Sequence, residues 1–134
     1  MVIKMLIINN KEYKNYEMFI DFDPFEGIIN GKRKKCKVLC ITLKENNFKL
    51  SIETIYDVEW IKELKIQDEK DISKYVIGLP YEDGNGWSYL SDKCNCTLCR
   101  INNDSFKINF NGLFEECGQQ YSIKYIDTFK IDNF

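Results

Sequence analysis

A mostly β fold, an antiparallel β-sandwich or related barrel, is what this sequence predicts. Three observations predict it. At least seven segments alternate apolar and polar residues with period 2, the signature of half-buried strands. Asn, Gly and Asp cluster between those segments, where tight turns need them. The 134 residues contain no Ala, the best helix former, and 18 Ile, which suits strands. The Ile excess, with 17 Lys against 2 Arg, is also the codon signature of an AT-rich genome and points to a low-GC bacterium.

The elements follow in order. Val2–Ile8 is an apolar run interrupted by Lys4 and reads as a buried strand. Tyr16, Met18, Ile20 and Phe22 alternate with Glu17, Phe19 and Asp21, and Asp23-Pro24 then opens a turn. Asn30-Gly31 is a hairpin turn signal, because both residues tolerate the positive φ that a type I′ turn requires. Lys35–Lys44 is the next strand, with Cys36, Val38 and Cys40 on one face. Glu45-Asn46-Asn47 returns the chain into Phe48–Ile55. Tyr75–Leu79 and Trp87–Leu90 flank a loop at Asp83-Gly84-Asn85-Gly86.

The C-terminal third predicts a meander of four strands: Thr97–Ile101, Ser105–Phe110, Leu113–Cys117 and Tyr121–Ile131. Asn111-Gly112 marks a tight turn between the middle two. Asp127 breaks the alternation of Tyr121, Ile123, Tyr125, Phe129 and Ile131, as a bulge would. Residues 57–66 read either as a short helix capped by Asp57 or as a strand on which Val58, Trp60, Leu64 and Ile66 alternate, and the helix is favoured because Glu59, Lys62, Glu63 and Lys65 are good helix formers.

At this length, residues 1–134 are expected to form a single domain, and a chain of that size buries about two thirds of its unfolded surface. The N-terminus lacks a long apolar run and a small-residue cleavage site, and no stretch approaches a membrane span. Cytoplasmic localisation without membrane association is therefore expected. The formal net charge of −2 argues against nucleic acid as the partner. Charge is unevenly distributed: residues 1–56 carry ten basic and seven acidic side chains, and the remainder is net acidic.

The chain has no His, which removes His-based triads, bases and metal ligands together. It contains no GxSxG, P-loop or GxGxxG motif. Glu115 and Glu116 are adjacent on a strand and point to opposite faces, so they do not share a substrate. The expectation is a non-catalytic protein without cofactors.

Three features carry candidate chemistry. Cys96 and Cys99 have the CxxC spacing that holds zinc from a tight turn, with Cys94 or Cys117 as further ligands. Free cytosolic thiols are the favoured alternative, with Cys99 buried and Cys94 and Cys96 exposed in a loop. Lys32, Arg33, Lys34, Lys35 and Lys37 form a basic cluster, read either as a phosphate or acidic-partner contact or as charges guarding an exposed strand edge. Tyr81, Asp83, Trp87 and Tyr89 are candidates for sugar or protein binding, with hairpin turn and core as the plainer reading.

The leading functional expectation is an intracellular bacterial protein–protein interaction module, for which a toxin-neutralising immunity protein is one concrete version. A zinc-stabilised domain and a small-molecule or carbohydrate-binding sandwich are the alternatives.

Overall fold

A computed structural model describes residues 4–29, 31–46, 48–56, 64–83, 86–90, 94–116 and 118–131. The side chains of Phe25, Ile29, Lys34, Tyr56, 83–90, 114–116 and Gln119 lie outside that description. Eleven strands are described: β1 (Met5–Ile8), β2 (Lys11–Tyr13), β3 (Glu17–Ile29), β4 (Lys32–Glu45), β5 (Phe48–Tyr56), β6 (Glu69–Asp71), β7 (Val76–Asp83), β8 (Gly86–Leu90), β9 (Cys94–Arg100), β10 (Ser105–Glu116) and β11 (Gln119–Lys130). A 3₁₀ turn spans Ser73–Tyr75.

The strands form two antiparallel sheets packed as a sandwich. One sheet has the order β2-β1-β11-β10-β9-β6 and the other β3-β4-β5-β7-β8. The expected β-sandwich with a C-terminal meander is therefore the fold. No helix among the described residues is long and apolar enough to cross a membrane.

The period-2 pattern positions the core. Leu39, Ile41 and Leu43 on β4, with Leu50 and Ile52 on β5, are almost wholly buried against Phe106, Ile108, Phe110, Ile123 and Tyr125 of the facing sheet. Successive residues on a strand point to opposite faces, so each strand supplies every second residue to this layer. Phe106 stacks on Phe129 with centroids 5.9 Å apart, and Tyr13 meets Phe48 edge-on at 4.5 Å.

Three local expectations are corrected. Asp23-Pro24 opens no turn: Pro24 lies inside β3, opposite Lys37. β3 is the outermost strand of its sheet, and an edge strand tolerates Pro because one side has no ladder bonds to lose.

Asn111-Gly112 is not a hairpin turn either. Both residues lie within β10, where Gly112 pairs with Cys94 on one side and Ile123 on the other. Ladders on both flanks override the local turn preference, so the four-strand meander is three strands, β9, β10 and β11. The reversal follows Glu116 instead, and Gly118 adopts the positive φ of +79°. Gly31 adopts +77° at the β3–β4 reversal, in keeping with the turn signal there.

Asp127 produces no bulge. It pairs in regular register with Ile108 and points inward, in phase with Tyr125 and Phe129. Residues 57–63 of the expected helix lie outside the described residues, and 64–66 run from coil into a turn.

Candidate functional site

The β3–β4 hairpin outruns its own sheet. The last residue of β5, Tyr56, pairs with Lys37, while β3 and β4 stay paired out to Ile29 and Lys32. Five residues of each strand, Phe25–Ile29 and Lys32–Cys36, thus continue as a two-stranded arm, about 17 Å long at the rise of an extended chain. The hairpin closes because Gly31 accepts the left-handed conformation at its tip.

Among its described side chains, the arm's surface is basic and carries the exposed apolar Ile28. Residues 26–37 hold five basic side chains and a single acid, Glu26. Lys32, Arg33, Lys35 and Lys37 are all exposed, and Ile28 is 78% exposed. Arg33 Nε meets Glu26 Oε1 at 2.9 Å. An ion pair this exposed contributes at most about 1 kcal/mol, so it orients the guanidinium more than it stabilises the fold. Lys37 extends over the Phe22 ring at 6.0 Å, keeping its aliphatic stem on the rim of the core.

A second arrangement lies inside the sandwich. Tyr16, just before β3, donates its hydroxyl to Asp127 Oδ2 at 2.8 Å, and Tyr125 donates to the same oxygen at 3.1 Å. The Thr128 backbone N–H donates to Asp127 Oδ1 at 2.8 Å. The Lys4 ammonium lies 4.2 Å from the Tyr16 ring centroid. Burial, then hydrogen bonding to Asp127, pushes the Tyr16 phenol above its ordinary range. Tyr125 moves the same way, first through burial and then through the charge of Asp127. The network ties β11 of one sheet to the chain entering the other. Its donors satisfy a buried carboxylate that would otherwise be costly. An acid at an inward position of an alternating strand is the sequence signal for this network.

The cysteine candidates are drawn out along β9 rather than gathered in a turn. Cys96 is fully buried, Cys94 is half-buried beside the core, and Cys99 lies on the opposite face of the strand. Cys96 is thus buried rather than exposed and Cys99 only half-buried rather than buried, because the CxxC adopts extended geometry in which residues three apart face opposite ways. Burial pushes the Cys96 thiol up to about 12, with Cys94 and Asp71 adding to the shift. The Ser73 hydroxyl accepts from the Cys96 backbone N–H at 2.8 Å, fixing that segment of β9. Cys117 lies outside the described residues, and among those described no group of three or more Cys, Asp or Glu is placed to hold a metal ion.

On β4, Cys40 faces away from the interior and its thiol meets Asp23 Oδ2 at 3.5 Å. Burial first, then the contact with Asp23, pushes this thiol up to about 12, the behaviour of an unreactive group.

The Tyr81–Tyr89 candidates separate. Tyr81 is buried and packs edge-on against Tyr121 of the facing sheet at 5.6 Å, so it belongs to the core. Asp83 closes the β7–β8 ladder opposite Gly86, while Trp87 and Tyr89 pair with Glu82 and Pro80. A shallow depression of about 130 Å³ lies beside them, lined by Lys49, Ser51, Pro80 and Glu82. That is below the ~300 Å³ of the smallest ordinary ligand pockets.

No protein-family model, curated protein or solved structure matches the chain, so its class is defined by this fold and surface alone: an antiparallel β-sandwich with a protruding basic arm.

Proposed function

We propose that this chain is a non-catalytic protein-binding module that engages its partner through the β3–β4 arm. The observation that carries the reading is the overhang itself, five residues of each strand beyond β5, with Ile28 78% exposed on it. A two-stranded ribbon is marginal in water by itself. A partner that covers Ile28 and the ribbon's faces gives that exposed apolar surface a use. Neutralisation of a toxin in a bacterial cytoplasm is the concrete version of this role.

The test is differential capture from a lysate of the source organism, with the wild-type chain and Ile28→Asp immobilised in parallel. A protein retained by the first and lost from the second is the expected result; identical captures would remove the arm from the function. If the retained protein arrests growth when expressed alone and not when co-expressed with this chain, the neutralising role holds. A harmless partner would leave protein binding without neutralisation.

The depression at Lys49, Ser51, Pro80 and Glu82 supports a second reading, a small-molecule or carbohydrate binder, because Trp87 and Tyr89 are the cross-strand neighbours of Glu82 and Pro80. Oligosaccharide titration that shifts the backbone amides of Ser51 and Glu82 would establish it, and unmoved amides would dismiss it.

A further inference from the structure

We infer that the β3–β4 arm docks on an acidic protein surface, with Ile28 entering an apolar notch and Arg33, Lys35 and Lys37 facing carboxylates around it. The inference rests on the protein-binding reading and names the chemistry of the partner.

Register places these residues together. Ile28 pairs with Arg33, Glu26 with Lys35 and Pro24 with Lys37, and directly paired residues share a face. On β4 that face is the one carrying Leu39, Ile41 and Leu43, which line the sandwich interior. Beyond Lys37 the same face continues onto the arm, but its chemistry changes from buried aliphatic to exposed cationic around Ile28. The interior face of this sheet therefore runs out past its own core as a basic platform around the exposed Ile28. A facing surface that continues the packing must bring an apolar notch for Ile28 and negative charge for its surroundings.

Charge on the arm is discrete rather than uniform. Glu26 sits among the cations on this face and is bonded to Arg33, while exposed Asp21 and Asp23 lie on the opposite face of β3. A nucleic acid or an anionic bilayer presents negative charge everywhere and would meet the Glu26 carboxylate as well. A protein surface can match both signs position by position, and complementary charge of this kind sets association rate and partner choice.

The experiment uses the full chain labelled for amide NMR, with poly-L-glutamate as the acidic probe. Duplex DNA and vesicles of phosphatidylcholine with phosphatidylglycerol are the comparison probes. Poly-L-glutamate is expected to shift amides of the arm between Glu26 and Lys37 and to release the partner retained in the differential capture. Lys35→Glu/Lys37→Glu is expected to weaken that partner about tenfold, chiefly by slowing association, and to flatten its salt dependence. Ile28→Asp is expected to weaken it at least about tenfold, the loss typical of a central contact. Far-UV circular dichroism of both variants should match the wild type, because all three positions are exposed.

An arm-dependent partner that neither poly-L-glutamate nor salt displaces would overturn the acidic surface and leave the protein-binding reading standing. Tighter binding of DNA or the vesicles to the arm than of poly-L-glutamate would overturn it in the same way. Capture that is indifferent to Ile28→Asp would end the protein-binding reading itself.

Discussion

Two hairpins of nearly equal length dominate the molecule and meet opposite fates. β3–β4 pairs 13 and 14 residues, and β10–β11 pairs 12 and 12. Both outrun their neighbours: β10–β11 stays paired beyond Gly112, where β9 stops, and beyond Ile123, where β1 stops. Yet the far end of β10–β11 is tied to the opposite sheet, because Tyr121 packs on Tyr81. Tyr81 pairs with Leu50 near the start of β5, whereas the β3–β4 arm leaves from the end of β5 at Tyr56. The two extensions thus project from opposite poles of the sandwich. One carries Tyr121 at its docking point; the other carries Ile28 among lysines. Length and register make a long hairpin, but an aromatic partner across the sandwich decides whether its end is part of the fold or part of the surface.

The largest effects are expected in the buried hairpin. Phe110→Ala should cost about 3–5 kcal/mol, because Phe110 is wholly buried and its removal leaves a cavity. Chemical denaturation measures this, and a loss under about 1 kcal/mol would mean that β10 is not the centre of the core.

Asp127→Ala comes next, at roughly 2–5 kcal/mol, because it strands two tyrosine hydroxyls inside the sandwich. Tyr16→Phe removes one donor and should cost about 1–2 kcal/mol by the same measurement. If Asp127→Ala is as stable as the wild type, the network does not join the sheets.

The two reversals can be compared directly. Gly118→Val and Gly31→Val each place a β-branched residue at positive φ, which costs roughly 1–3 kcal/mol. No atoms crowd either position, so the backbone conformation accounts for the whole loss. Gly118→Val should lower the thermal midpoint, since β10–β11 forms the core. Gly31→Val should act chiefly on the arm and reduce partner capture.

Alkaline pH should weaken the fold through its buried thiols and phenols. Cys40 and Cys96 are pushed up to about 12 from an ordinary 9.0, and Tyr16 and Tyr125 lie above their ordinary range. Above pH 9.0 the unfolded chain releases protons that the native state retains. The native state then binds more protons, so stability is intact below that point and falls as pH rises through about 12. Denaturation midpoints across that window should decline, and Tyr16→Phe should make the upper part of the decline shallower. A midpoint that rises with pH would contradict the buried, protonated state of these groups.

The smallest effect belongs to the arm: Ile28→Ala should change stability by no more than about 0.5 kcal/mol, because so exposed a side chain has little packing to lose. A larger loss would show that the arm is held by the body of the protein after all.

The β class and the identity of most core residues are legible in the amino-acid sequence, because a period-2 alternation assigns the apolar face of a strand before any partner strand is known. Phe106, Ile108 and Phe110 share one face on this ground, and they line the core. Which turn signals are used is a matter of tertiary structure. Asn111-Gly112 has turn chemistry, but ladders from β9 and β11 on both sides hold it extended, and pairing between distant strands is not written in a local dipeptide. Asp127 looks like a break in the sequence pattern because its partners, Tyr16 at 111 residues' remove and Tyr125, meet it only across the closed sandwich. The basic cluster is visible as charge, but its protrusion depends on where β5 ends relative to β4, a register set by packing along the whole sheet. The exposure of the cysteines likewise follows from extended geometry: CxxC spacing gathers thiols only in a tight turn, and in β9 it sends Cys96 into the core and Cys99 to the other face.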